Sequence, residues 1–147
     1  MIDVYTIGFA EKKAETFFGL LRTSGANRLM DVRLNNVSQL AGFTKKDDLR
    51  FFLKAILGWN YSHVQELAPT KDILDTFKKR GGDWDVYEES FTKLLEMRRI
   101  ESRFAPEDFE RACLLCSEHD PRNCHRRLVL EYLNQKWSGK LKIHHLF

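Results

Sequence analysis

At 147 residues the chain has the size of one domain, long enough to hide about 70% of its unfolded surface and to build one sizeable core. Hydrophobic residues at 43% and charged ones at 31% match a soluble globular domain, and no apolar run approaches the ~20 residues of a membrane span. A net charge of +3 admits an anionic partner without supplying the basic stripe of a dedicated nucleic-acid binder, and three cysteines exclude a full disulfide framework.

Residues 2–7 read as a first strand, without the basic region and small-residue cleavage site of a signal peptide, so reduced thiols and a cytoplasmic location are expected. Gly8 breaks that strand. Ala14, Phe17, Phe18 and Leu21 then follow the spacing of one helical face, with Gly25 placed to stop the helix in a left-handed conformation. Residues 29–32 form a second strand. The polar segment 33–43 exceeds the ~2–6 residues of an ordinary strand-to-helix connection, which marks it as a candidate functional loop.

Thr44 followed by Asp47 resembles a capping box ahead of a helix buried through Leu49, Phe52, Leu53, Ile56 and Leu57, and Gly58 ends it. Residues 60–64 give a third strand. Thr70 caps a short helix, Gly81 and Gly82 break the chain, and Asp83 caps a longer helix with Trp84, Tyr87, Phe91, Leu94 and Leu95 on its apolar face. A fourth strand at 111–115, a helix faced by Leu128, Tyr132, Leu133 and Trp137, and a fifth strand at 141–146 complete the chain. Strands alternating with helices predict a single α/β domain over 1–147: a mostly parallel, Rossmann-like five-stranded sheet with helices on both faces.

All three cysteines fall within Cys113-Leu-Leu-Cys116-Ser-Glu118-His119-Asp120-Pro121-Arg-Asn-Cys124-His125-Arg126, between a strand and a helix. That is where an open α/β sheet presents its ligand-binding edge. Cys113 and Cys116 are three apart on a strand and point to opposite faces, so Cys113 reads as a small buried hydrophobe and Cys116 as the residue at the site. The next helix starts either with Asp120 as cap and Pro121 first, or with Asn123 as cap and Cys124 first. Both starts put Cys124, His125 and Arg126 in the first turns, where an anion is favoured and a thiol ionises more easily. Cys124 also fits as the first residue of the core stripe continued by Leu128.

The block resembles the signature of the domain of unknown function 488 family, roughly L-L-C-x-E-x-x-P-x-x-C-H-R, through Cys116, Glu118, Pro121, Cys124, His125 and Arg126. The same family opens on T-I-G-H-S, carries D-V-R after its second strand and closes with a His after the last. Here these become Thr6-Ile7-Gly8-Phe9-Ala10, Asp31-Val32-Arg33 and Ile143-His144. Phe9 and Ala10 stand where the family has His and Ser, so roles of those two side chains do not transfer. The resemblance spans nearly the whole chain and implies a fold and a site, not a reaction.

The leading expectation is a crevice at the strand ends that binds an anionic small molecule, nucleotide-like, and works as a hydrolase or transferase. Cys116 or Cys124 would be the nucleophile, His125 the proton carrier and Glu118 its orienter. Arg33 and Arg126 would clamp the anion beside Asp31, and Gly8 would let the ligand approach the first strand. The alternatives are a non-catalytic nucleic-acid or protein-binding module and a metal-bound regulator using Cys116, Cys124 and His125. No cofactor is predicted, since no Walker loop, dinucleotide fingerprint or nucleophile elbow is present. The spacing of Cys116 and Arg122 matches thiol phosphatases, but two carboxylates and a proline between them oppose phosphate binding.

Overall fold

The computed structural model describes residues 1–36, 42–79 and 81–147, so the middle of the long loop at 33–43 lies outside the described residues. Its sheet has five strands, β1 (Ile2–Gly8), β2 (Arg28–Asp31), β3 (Asn60–His63), β4 (Ala112–Cys116) and β5 (Leu141–Leu146), in the order β3-β2-β4-β1-β5. Every pairing is parallel. The helices are α1 (Ala14–Thr23), α2 (Lys46–Phe52) with a π turn at Leu53–Leu57, α3 (Lys71–Lys79), α4 (Trp84–Arg98), α5 (Ile100–Arg103) and α6 (His125–Lys136).

Alternation along the strands divides the apolar residues between two cores. Ile7, Leu29, Cys113 and Leu115 pack against Phe17 and Leu21 of α1 and against Leu49 and Leu53. Val4, Met30, Leu114 and Cys116 pack instead against Phe91 and Leu95 of α4 and Val129 and Leu133 of α6. With both faces covered, central β4 is buried at every residue, the condition under which a strand reads as an unbroken apolar run.

Two expected caps are corrected. Helix α1 ends at Ser24, whose hydroxyl bonds the Leu21 carbonyl at 2.7 Å in an extended conformation. Gly25 is needed for another reason, because an added Cβ would strike the Tyr5 hydroxyl. Thr44 does not cap α2; Lys45 holds that position without a side-chain cap. Asp83 does cap α4, its carboxylate accepting from the amides of Asp85 and Val86, and Gly58 stops the π turn at φ +70°.

Adjacent strands β1 and β4 send their chains to opposite faces, β1 to α1 and β4 to α6. Such a reversal opens a crevice at the carboxyl edge of an α/β sheet, where ligands bind.

Candidate functional site at the carboxyl edge of the sheet

The β1 and β4 loops are zipped together beyond the strands. Phe9 N–H donates to the Cys116 carbonyl at 3.3 Å and Ala10 N–H to that of Ser117 at 2.9 Å. A Cβ at Gly8 would collide with the Glu118 carbonyl oxygen and come within 2.8 Å of the Arg126 guanidinium. The space freed at Gly8 is thus filled by the protein's own backbone, which corrects the expectation of a ligand there.

The thiols separate as alternation requires. Cys113 lies in the α1 core, fully buried, and burial raises its thiol pKa well above the ordinary value. Cys116 and Cys124 lie in the other core, 1% and 3% exposed, with their sulfurs bonded to each other and their Cα atoms 7.4 Å apart. The expectation of three reduced thiols is corrected. Packing α6 against β4 brings the last strand residue and the cap residue of the helix together across eight positions, a meeting that cysteine counting cannot reveal.

Of the two readings of the helix start, the first holds for a short turn alone, and the second is off by one residue. Asp120 caps a 3-10 turn at Pro121–Asn123 by accepting from Arg122 N–H, and Cys124 is the cap of α6. Hydrogen bonds from the Arg122 side chain and backbone hold the Asp120 carboxyl at about 2. His125 is buried, its Nε2–H donating to the Val32 carbonyl at 2.7 Å, with Phe91 edge-on at 5.5 Å. Burial pushes its pKa down to about 4, so the ring is neutral at pH 7. Its Nδ1 then carries a lone pair. Cys116 Sγ, Cys124 Sγ and a ring nitrogen of His125 lie within 4.8 Å of one another. Glu118, expected to orient His125, is exposed.

Arg33 and Arg126 are each engaged within the chain. Arg33 donates to both carboxylate oxygens of Asp31, at 2.9 and 2.8 Å, and to the Thr44 carbonyl at 2.7 Å. The Tyr61 hydroxyl donates to Asp31 at 2.5 Å, and Asn36 donates to that hydroxyl. His63 Nε2–H bonds the Arg33 carbonyl. Among the described residues this is a charge-balanced network that fixes the chain leaving β2. Asp31 and Arg33, expected to meet an anion, are bonded to each other as a buried ion pair.

Arg126 is different. Fully buried, it donates to Thr6 Oγ1 at 3.1 Å, Cys116 Sγ at 3.1 Å, the Glu118 carbonyl at 2.5 Å and the His119 carbonyl at 3.2 Å. Every acceptor is neutral in the disulfide-bonded state, and among the described residues no carboxylate lies within 4.0 Å of it. Burial lowers its pKa to about 10, which leaves it charged at neutral pH. A buried charge held only by neutral acceptors carries a desolvation cost, offset in part by the Glu118 and Asp120 charges farther off.

Four further residues surround it, Thr6, His145, Lys12 and His119, none of them among the site residues expected from the sequence. The Thr6 hydroxyl, accepting from Arg126, sits 2.6 Å from Nδ1 of His145 on β5. Lys12, in the β1–α1 turn, donates to Nδ1 of His119 at 2.9 Å. Burial and then the Arg126 charge lower the pKa of both Lys12 and His145. Thr6 and His145 share the α6 face because β1 and β5 pair Thr6 with His145 in register. The only sequence signal for them is alternation on two strands whose adjacency the sequence does not state. His144, on the opposite side of β5, bonds Asp3 at 2.8 Å and stacks on Tyr5. A groove of about 540 Å³ lined by Phe18, Phe43, Phe52 and Ile56 lies on the α1 side, away from this cluster.

A family model described as "Domain of unknown function DUF488" matches residues 13–133. No curated protein and no solved structure matches the chain.

Proposed function

Since the chain belongs to the DUF488 family, whose description names no activity, we propose from the site itself that the domain binds a small anionic molecule of phosphate-like chemistry. The site is the carboxyl edge formed by β1, β4 and β5. One observation carries this reading: Lys12 and Arg126 supply two positive charges linked through the His119 and His145 residues, and among the described residues no carboxylate is bonded to any of the four. Lys12 and the two imidazoles are only partly covered, so an anion reaching them would sit beside the buried guanidinium, where attraction is less screened than in water. The Cys116–Cys124 bond supports binding rather than thiol chemistry in this state.

The test is titration with sulfate, inorganic phosphate and adenosine monophosphate, followed through the His119 and His145 ring resonances. At least one anion should shift both rings saturably, and Lys12→Ala should weaken binding about tenfold, the loss expected for one charge-assisted hydrogen bond. Unmoved rings at millimolar anion, or a folded Lys12→Ala protein that binds as well as wild type, would overturn the reading. A steep salt dependence with oligonucleotides and no response to the small anions would favour a nucleic-acid-binding module instead.

A further inference from the structure

Cys116, Cys124 and His125 make a second site that the anion cluster does not use. We infer that, with the two sulfurs reduced, these three side chains bind one soft divalent transition-metal ion, zinc above all. The inference stands apart from the anion-binding proposal and survives its failure.

Four features of the geometry converge. The two sulfurs and a ring nitrogen of His125 already lie within 4.8 Å of one another, all three residues being buried. Around a tetrahedral zinc with Zn–S bonds of about 2.3 Å, donor atoms stand roughly 3.5–4 Å apart, so small side-chain movements suffice. The Cα separation of 7.4 Å exceeds the roughly 4.4–6.8 Å that directly bridged cysteines usually span, so the two backbones already stand far enough apart to take an ion between the sulfurs once their bond is reduced.

The surroundings suit ligation as well. His125 donates Nε2–H to the Val32 carbonyl, the outer contact that fixes ring orientation in metal-bound histidines and leaves Nδ1 to the ion. Arg126 donates to Cys116 Sγ, and as the buried cation it offsets one of the two thiolate charges that the ion would draw. Two thiolates and an imidazole form a soft donor set that selects zinc over magnesium or calcium. Cys113 packs in the other core and cannot complete the shell. Three protein ligands leave a fourth position for water or another ligand, the arrangement of a catalytic rather than a closed structural zinc site.

Metal and disulfide exclude each other because both use the same sulfurs. A dithiol reductant supplies two electrons and two protons, breaking the Cys116–Cys124 bond to give two thiols while becoming its own cyclic disulfide. Zinc binding then displaces the two thiol protons, so loading strengthens as pH rises.

Cobalt(II) is the spectroscopic probe. The chain, reduced with a phosphine and freed of metal, is titrated with cobalt(II) and then with zinc, while circular dichroism monitors folding. One equivalent of cobalt should bring up a thiolate charge-transfer band and intense visible bands of tetrahedral coordination, and one equivalent of zinc should abolish both. Cys124→Ser and His125→Asn should each weaken binding at least about tenfold, Cys113→Ala should leave it unchanged, and unreduced protein should give no band. Failure of the reduced, folded chain to develop the thiolate band would overturn the inference, as would a band unaffected by Cys124→Ser or one lost with Cys113→Ala. If either ligand variant fails to fold, alkylation of Cys116 and Cys124 in the reduced, folded wild type, followed by mass and slowed by prior zinc, supports the site; alkylation unaffected by zinc refutes it.

Discussion

Gly8 and Arg126 are coupled at the residue scale by a single crowded point. The glycine lets the Glu118 carbonyl pass over the end of β1, and that carbonyl is one of the acceptors that hold the guanidinium. Gly8→Ala should therefore cost about 2–3 kcal/mol, the upper part of the overpacking range, because its neighbour is backbone and cannot turn aside. Urea unfolding would measure it, and a loss below about 0.5 kcal/mol would show that the loops can part. Arg126→Lys is a harsher change than its charge suggests. One ammonium cannot reach Thr6, Cys116 and two carbonyls on separate elements, so a loss of about 3 kcal/mol or more is expected.

Element β5 matters through what it carries as much as through what it buries. Last in the chain, it docks beside the first strand and brings His145 to Thr6. Thr6, Arg126, Arg127 and Glu131 face the ring from neighbouring elements, with His144 beside it on its own strand. Burial followed by the Arg126 charge holds its folded pKa below the unfolded value near 6.5. A histidine so lowered contributes its full stability above the unfolded pKa, and that contribution falls as acid lets only the unfolded chain take up the proton. Stability should thus decline from pH 7 to pH 5, less steeply in His145→Asn than in wild type; the more deeply sealed His125 keeps part of the slope in both. An anion beside the ring reverses the preference for the neutral form. Sulfate, whose own charge is constant over this range, should bind more tightly at pH 6 than at pH 8, and equal affinity at both would remove His145 from the site.

At the scale of the whole molecule, the elements were legible where local pattern decides them. The alternation that puts Cys113 and Cys116 on opposite faces is visible in four consecutive letters, and Asp83 announces α4 through chemistry confined to three residues. The Cys-His-Arg block was legible as a place, but its internal bonding was not. The Cys116–Cys124 bond depends on how α6 seats on β4, and the Arg126 cage depends on strand order. Lys12 and His145 lie far apart in sequence, and each reaches the surroundings of Arg126 only through a strand order that puts β1 between β4 and β5. The Asp31–Arg33 pair was seen, yet its partners Tyr61, Asn36 and Thr44 come from three segments and convert an apparent ligand clamp into scaffold.

Locking two of the sulfurs together leaves Cys113 as the lone thiol, within the central strand and with no exposed surface. An alkylating reagent added to the oxidised chain therefore has nothing to attack until the sheet itself comes apart. Each molecule carries its own stopwatch: the mass gained per minute at that one sulfur records how often the entire domain opens.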